Sequence, residues 1–191
     1  MTLFDLVFLA SFLITVAVLA MVGIAALRRQ WPLLRKLLIG WAVFATVYFG
    51  AMIAVSLASP QRVLSVGENR CWDDFCIAVM NVQRRPASHG NSVDLTLRLS
   101  STAKRVMQRE NGVGVYLIDN RGNRYEANPV TTEIPLNVQL GPGDSVETLR
   151  VFQVPLDAHG LALGFTHSGP GYFIIGDDGS FFHKPTVIRI E

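Results

Sequence analysis

The sequence predicts an all-β domain, an immunoglobulin-like β-sandwich, preceded by a two-helix transmembrane hairpin. Three observations lead there. Residues 1–61 hold two long apolar runs joined by a basic turn, while residues 62–191 break into short segments punctuated by Gly, Pro and Asp. The charge is also divided. The first part carries Asp5, Arg28, Arg29, Arg35 and Lys36, a net of +3; the second carries 13 Lys and Arg against 14 Asp and Glu, a net of −1. The basic balance therefore comes from one island, and no basic stripe on the folded domain points to nucleic acid.

The first run, Leu6–Leu27, would rise about 33 Å as a helix at ~1.5 Å per residue, matching a hydrocarbon core of roughly 30 Å. The second, Leu37–Ser59, does the same. A soluble amphipathic helix shows a polar face, and neither run has one. The leading residues MTLFD carry an acid and no base, and the apolar run exceeds a secretory signal, so the first run reads as a retained span. The second is preceded by basic residues and ends in small ones (Ser56-Leu57-Ala58), yet its length again favours retention.

Between the runs lies RRQWPLLRK at 28–36, where Arg28, Arg29, Arg35 and Lys36 determine the topology. Cations in short loops stay on the cytoplasmic side. Pro32 suits the first turn of the second helix, where its missing N–H costs nothing, and Trp31 and Trp41 suit the headgroup level. Both chain ends then face away from the cytoplasm. The expected location is an inner or plasma membrane, crossed twice, with residues 62–191 as a periplasmic or extracellular ectodomain. Neither run holds an Asp, Glu, His, Lys or Arg, the usual marks of an ion pathway. Gly50, Ala54 and Ala58 form a small-residue stripe that lets a helix approach closely. Packing against the chain's own first span is the simpler use, a partner helix the alternative.

In the ectodomain, VDLTLRL alternates strictly: Val93, Leu95, Leu97 and Leu99 on one face, Asp94, Thr96 and Arg98 on the other. That period of two is a half-buried strand. CIAVMNV (76–82), VGVYLID (113–119), TLRVFQV (148–154), LALGFTH (161–167), YFIIG (172–176) and TVIRI (186–190) are strand-like, with VLSV (63–66) and NVQL (137–140) weaker. DNRGN, GPGD, SGPG and GDDGS supply turns. Many short strands without a convincing helix predict a sandwich, with a small barrel second. The segment STAKRVMQRENG (101–112) is a long loop or a short helical excursion. Its Lys104, Arg105 and Arg109 suit an acidic partner or anionic headgroups, a solvated crossover being the simpler reading.

The hairpin Asp119-x-x-Gly122-x-x-Tyr125, then Leu140-x-Pro142-Gly143-x-Ser145, then Val151-Phe152-x-Val154-Pro155 carry a resemblance. The run from Gly67 onward resembles the uncharacterised immunoglobulin-like ectodomains of bacterial lipoproteins and small membrane proteins, whose soluble relatives include a mycobacterial secreted immunogenic antigen. The resemblance implies a fold and a binding or scaffolding role, without catalytic content. It departs at the N-terminus, where many members have a lipid-anchored cysteine or a single signal.

Cys71 and Cys76 are the only cysteines. Outside the cytoplasm disulfides persist, and CWDDFC lets a tight loop bring the Cα atoms within the ~4.4–6.8 Å of a bridge. So short a loop adds only about 2 kcal/mol in the chain-entropy model. The spacing does not match redox motifs, and no second Cys or His pair completes a zinc set. His89, His159, His167 and His183 are scattered near loops, and Asp177 and Asp178 fit a tight turn better than a calcium site with about six oxygens. The sequence holds no G-x-S-x-G, no H-E-x-x-H and no phosphate-binding glycine loop. The expected function is a membrane-anchored interaction or ligand-binding module, or an accessory subunit of an envelope complex, with no catalysis, metal or cofactor. The alternative is a metal-binding or enzymatic ectodomain. Expected partners are the bilayer and a protein or envelope ligand. The surface residues favoured for contact are Trp72, Asp73, Asp74 and Phe75, with Lys104, Arg105 and Arg109, although the simpler reading of Trp72 and Phe75 is as plugs at the end of the sandwich core.

Overall fold

The computed structural model describes residues 3–88, 90–129, 133–167 and 170–191; His89 and the start of the SGPG turn lie outside them. The chain divides into two compact units. One takes the chain up to Pro60 and again from Pro170 to Lys184, and the other takes Gln61 onward and Pro185–Glu191.

In the helical unit, α1 (Leu3–Leu27) and α2 (Trp31–Ala58) are both long and apolar enough to cross a membrane. α2 starts earlier than its apolar run alone suggests, because Trp31 to Lys36 are already helical, with Pro32 in the first turn. Ala25, Met52 and Ser56 are buried, whereas Leu13, Val47 and Leu57 are 58, 66 and 65% exposed. Packing within the unit does not use the small-residue stripe. Gly50, Ala54 and Ala58 are exposed, and a Cβ built on Gly50 would meet nothing within 4 Å.

The segment expected to form a strand at 172–176 is a correction. Pro170–Phe173 forms a 3-10 turn, α-type hydrogen bonding never develops, and bends and turns follow to Phe182. The GPG and GDDG flanks break any extended run, and its partners are helical. The Tyr48 hydroxyl donates to the Phe173 carbonyl at 2.6 Å, and the Ser56 and Ser180 hydroxyls meet at 3.2 Å. Asp177 closes the expected tight turn by accepting from the Gly179 N–H at 2.8 Å. The β domain expected to run unbroken from 62 therefore cedes Pro170–Lys184 to the helical unit.

The β unit has nine strands among the described residues: β1 (Val63–Leu64), β2 (Arg70–Trp72), β3 (Phe75–Ala87), β4 (Gly90–Ser101), β5 (Gly114–Ile118), β6 (Arg124–Asn128), β7 (Ser145–Val154), β8 (Ala162–Thr166) and β9 (Val187–Arg189). They pair in the order β1-β9-β8-β5-β6-β7-β4-β3-β2. β6 switches sheets, as corner strands of sandwiches do. Its first residues, Arg124–Glu126, pair with β5, and Ala127 and Asn128 pair with β7. The result is a barrel-like sandwich; the whole chain is not all-β, since the two helices precede it. NVQL contributes only a bridge, Leu140 to Gln108. Residues 102–112 otherwise form a loop, not a helix.

Alternation in β4 holds for the apolar face: Val93, Leu95, Leu97 and Leu99 are fully buried and join Phe75, Phe152, Leu117 and Leu163 in one core. On the other face Asp94 is buried rather than solvated, because Ser92 donates to it and Arg85 forms an ion pair with it.

The β5–β6 hairpin shows what the D-x-x-G-x-x-Y motif does. Gly122 adopts φ 84°, a conformation side chains disfavour. Asp119, buried, accepts from the N–H of Arg121 (2.9 Å) and Asn123 (2.8 Å), the Asn123 amide (2.9 Å) and the Tyr125 hydroxyl (2.9 Å). Burial alone would raise its pKa; the donors, led by Asn123, outweigh it and hold the carboxyl well below the usual range. A folded pKa below the unfolded one stabilises the protein above the ordinary carboxylate range, about pH 4, and that stabilisation is lost as pH falls toward the depressed value. Thermal melts of wild type and Asp119→Asn should therefore differ most near neutrality and converge below about pH 4. A gap that widens on acidification would contradict this account.

Candidate functional site

Cys71 and Cys76 stand directly opposite each other in the β2–β3 ladder and form a disulfide. Their Cα atoms are 3.9 Å apart, closer than the range expected for a bridge, since they occupy facing positions in one hairpin. The tip between them holds Trp72, Asp73, Asp74 and Phe75. Asp73 turns the chain with φ 49° and is exposed with Asp74. Phe75, a candidate for surface contact, instead takes its simpler reading and lies fully inside: strand alternation points it into the core.

Trp72 is half-buried in a small cluster. Its ring meets Phe165 edge-on at 5.3 Å and stacks on His167 at 5.6 Å, and the Arg70 guanidinium lies 4.8 Å from its centroid. His167 Nε2 is 2.7 Å from a Glu110 carboxylate oxygen. This contact ties the hairpin to the 102–112 loop, which the sequence left as a separate candidate. Two further ties hold that loop: the Thr102 N–H donates to the Asp74 carbonyl (2.8 Å), and Gln108 and Leu140 exchange backbone bonds of 2.8 Å. Between the ties, Lys104, Arg105, Val106 and Met107 project into solvent, followed by exposed Arg109. Val106 and Met107 are 60 and 61% exposed. The arrangement is a basic and apolar tip on a loop held at its base.

A second feature escaped sequence reasoning. An open cleft of about 340 Å³ is lined by Val113, Val115, Glu126, Glu133, Leu136 and Arg150, among others. Arg150 is almost fully buried. Its guanidinium donates to the Ile134 carbonyl (2.9 Å), Thr148 (2.7 Å) and the Leu149 carbonyl (2.8 Å), and pairs with Glu133 at 2.9 Å. Burial lowers its pKa, and the Glu133 charge partly offsets that. A signal existed: in TLRVFQV, Arg150 shares the parity of Thr148, Phe152 and Val154, the inward face.

Among the described residues no three His, Cys, Asp or Glu side chains form a group that could hold a metal ion. His183 lies 3.5 Å from Asp178, in the helical unit, and His159 is exposed.

No family model and no curated protein matches the chain. Among solved structures it is similar to an uncharacterised β-sandwich protein from Clostridium difficile, at 15% identity over 70% of this chain and 96% of that one, with a TM-score of 0.44. It is similar to the yjhA protein of Bacillus subtilis, at 12% identity over 67% and 99%, TM-score 0.47. It is also similar to the secreted protein MPT63 of Mycobacterium tuberculosis, at 8% identity over 69% and 99%, TM-score 0.47. No functional conclusion rests on these likenesses.

Proposed function

We propose that this protein is a membrane-anchored module whose immunoglobulin-like β unit lies outside the cytoplasm and binds a partner there without catalysis. The carrying observation is the uncovered apolar surface of α1 and α2: large hydrophobic side chains are exposed along both helices. A helix pair in a soluble core would bury them, and patches of this extent call for lipid or protein cover. Arg28, Arg29, Arg35 and Lys36 around the turn then stay on the cytoplasmic side, and the β unit follows α2 outward. The disulfide is consistent with an oxidising compartment. The Lys104–Arg109 tip is the contact surface of this reading, and its partner is acidic.

Protease added to sealed right-side-out membranes should digest the β unit, leaving α1 and α2 protected; digestion only in inside-out membranes would overturn the placement. In the same membranes, a photo-crosslinking side chain at Met107 should trap a partner that is lost when Lys104, Arg105 and Arg109 are reversed to Glu. Capture indifferent to that reversal would remove the tip as the contact surface.

A further inference from the structure

We infer that Pro170–Lys184 is an aromatic wedge inserted in the outer leaflet, with lipid acyl chains as its occupant; this rests on the membrane placement proposed above. The evidence is depth along α2. Tyr48, whose hydroxyl holds the Phe173 carbonyl at 2.6 Å, lies about 15 Å in from the Ala58 end at ~1.5 Å per residue. Measured from the other side, it lies about 17 Å beyond Leu37, where the basic island ends, at the same rise. A hydrocarbon core of roughly 30 Å starting there places Tyr48 near its middle and Phe173 beside it.

The polar accounting fits that depth. Non-helical backbone is tolerated in a bilayer only where protein satisfies its polar groups, and the Tyr48 hydroxyl supplies a donor to the deepest recorded contact. Conversely, a phenol in the middle of an apolar helix needs a partner. The segment is also graded. Its deep part is aromatic: Phe173 and Tyr172 meet Phe181 at 5.7 and 5.8 Å, and all three rings are about half exposed. Its polar part is held near the helix ends. Ser180 bonds Ser56, and a Cβ on Gly176 would lie 3.8 Å from Phe4 and 3.9 Å from Val55. Gly176 precedes Asp177 and Asp178, so the acids follow the shallow point and the rings occupy the deep one.

The chain therefore leaves the helical unit after Pro60, returns at Pro170 and leaves again after Lys184. The insert between β8 and β9 makes the anchor more than a two-helix stalk.

The test uses the full chain in vesicles, with single-tryptophan variants. Trp31, Trp41 and Trp72 are replaced by Phe, and an indole is introduced by Phe173→Trp or, separately, Phe181→Trp. A companion variant keeps Trp41 alone. Vesicles contain phosphatidylcholine brominated along its acyl chains, and iodide serves as the aqueous quencher; an intact disulfide and wild-type circular dichroism report folding. The indoles at 173 and 181 should lose most of their emission to brominated lipid and little to iodide, as Trp41 should. If Trp41 is lipid-quenched while both introduced indoles are quenched by iodide, the wedge is wrong and the hairpin stands. If Trp41 itself is quenched by iodide alone, wedge and hairpin both fall. Indoles at 173 and 181 shielded from both quenchers would mean that protein, such as a second copy of this chain, covers the rings in place of lipid.

Discussion

Phe152→Ala should destabilise the β unit by about 3–5 kcal/mol, the cost typical of emptying a buried aromatic site. Phe152 is fully buried in β7, opposite Val93 of β4 on one side and Ala127 of β6 on the other. It thus sits where β6 carries the chain from one sheet to the other, and a cavity there cannot collapse without moving both. The neighbouring Gln153 is exposed on the opposite face of the same strand, so Gln153→Ala should change stability by less than about 0.5 kcal/mol. Phe152→Leu, which keeps most of the volume, should fall between. Thermal melts in detergent, followed in the near ultraviolet, separate the three. A Phe152→Ala melt within a degree or two of wild type would show that the two sheets do not depend on this contact. The Val-Phe-x-Val-Pro motif has a physical meaning in this light, since Phe152 and Val154 are both core residues.

How legible was this in the sequence? β4 and β7 were readable because long antiparallel strands with one buried face impose a period of two on their letters. The two helices were readable from length alone. β2 was not, because Arg70–Trp72 is too short to show a period and is fixed by facing cysteines. β6 was not, because Arg-Tyr-Glu-Ala-Asn divides its pairing between two sheets, and its exposure alternates without a buried side. YFIIG misled for the opposite reason. Its composition is that of a strand, but its Phe173 carbonyl is held by Tyr48, on a helix far away in sequence. The candidate site was half readable. Trp72, Asp73 and Asp74 do lie at a hairpin tip, and Lys104, Arg105 and Arg109 are exposed. Their connection through His167 and Glu110 requires the fold to bring the end of β8 beside the loop. Arg150 was hidden by its own chemistry: a charged letter reads as surface until its parity with Phe152 is weighed.

Arg150→Ala should cost about 3 kcal/mol, the low end for breaking a buried ion pair by removing one partner. Four recorded interactions are lost together, to Glu133, Ile134, Thr148 and Leu149. The low end applies because Glu133 is partly exposed and the Thr148 hydroxyl still donates to the Ile134 carbonyl at 2.9 Å. Arg150→Met, which keeps the apolar stem, should cost less, since replacing a buried charge by a packed apolar group is often tolerated. Adding Glu133→Gln should then recover stability, because the carboxylate no longer lacks its counter-charge. A double-mutant cycle on positions 133 and 150 measures that coupling. If the two changes simply add, the pair contributes nothing specific, and Arg150 acts through its hydrogen bonds to Ile134, Thr148 and Leu149 alone. The same variants bear on the cleft. Arg150 fixes the 133–137 wall by gripping both Glu133 and the Ile134 carbonyl. A ligand that enters the cleft should therefore protect wild type against unfolding and fail to protect Arg150→Met, whose wall lacks that tie.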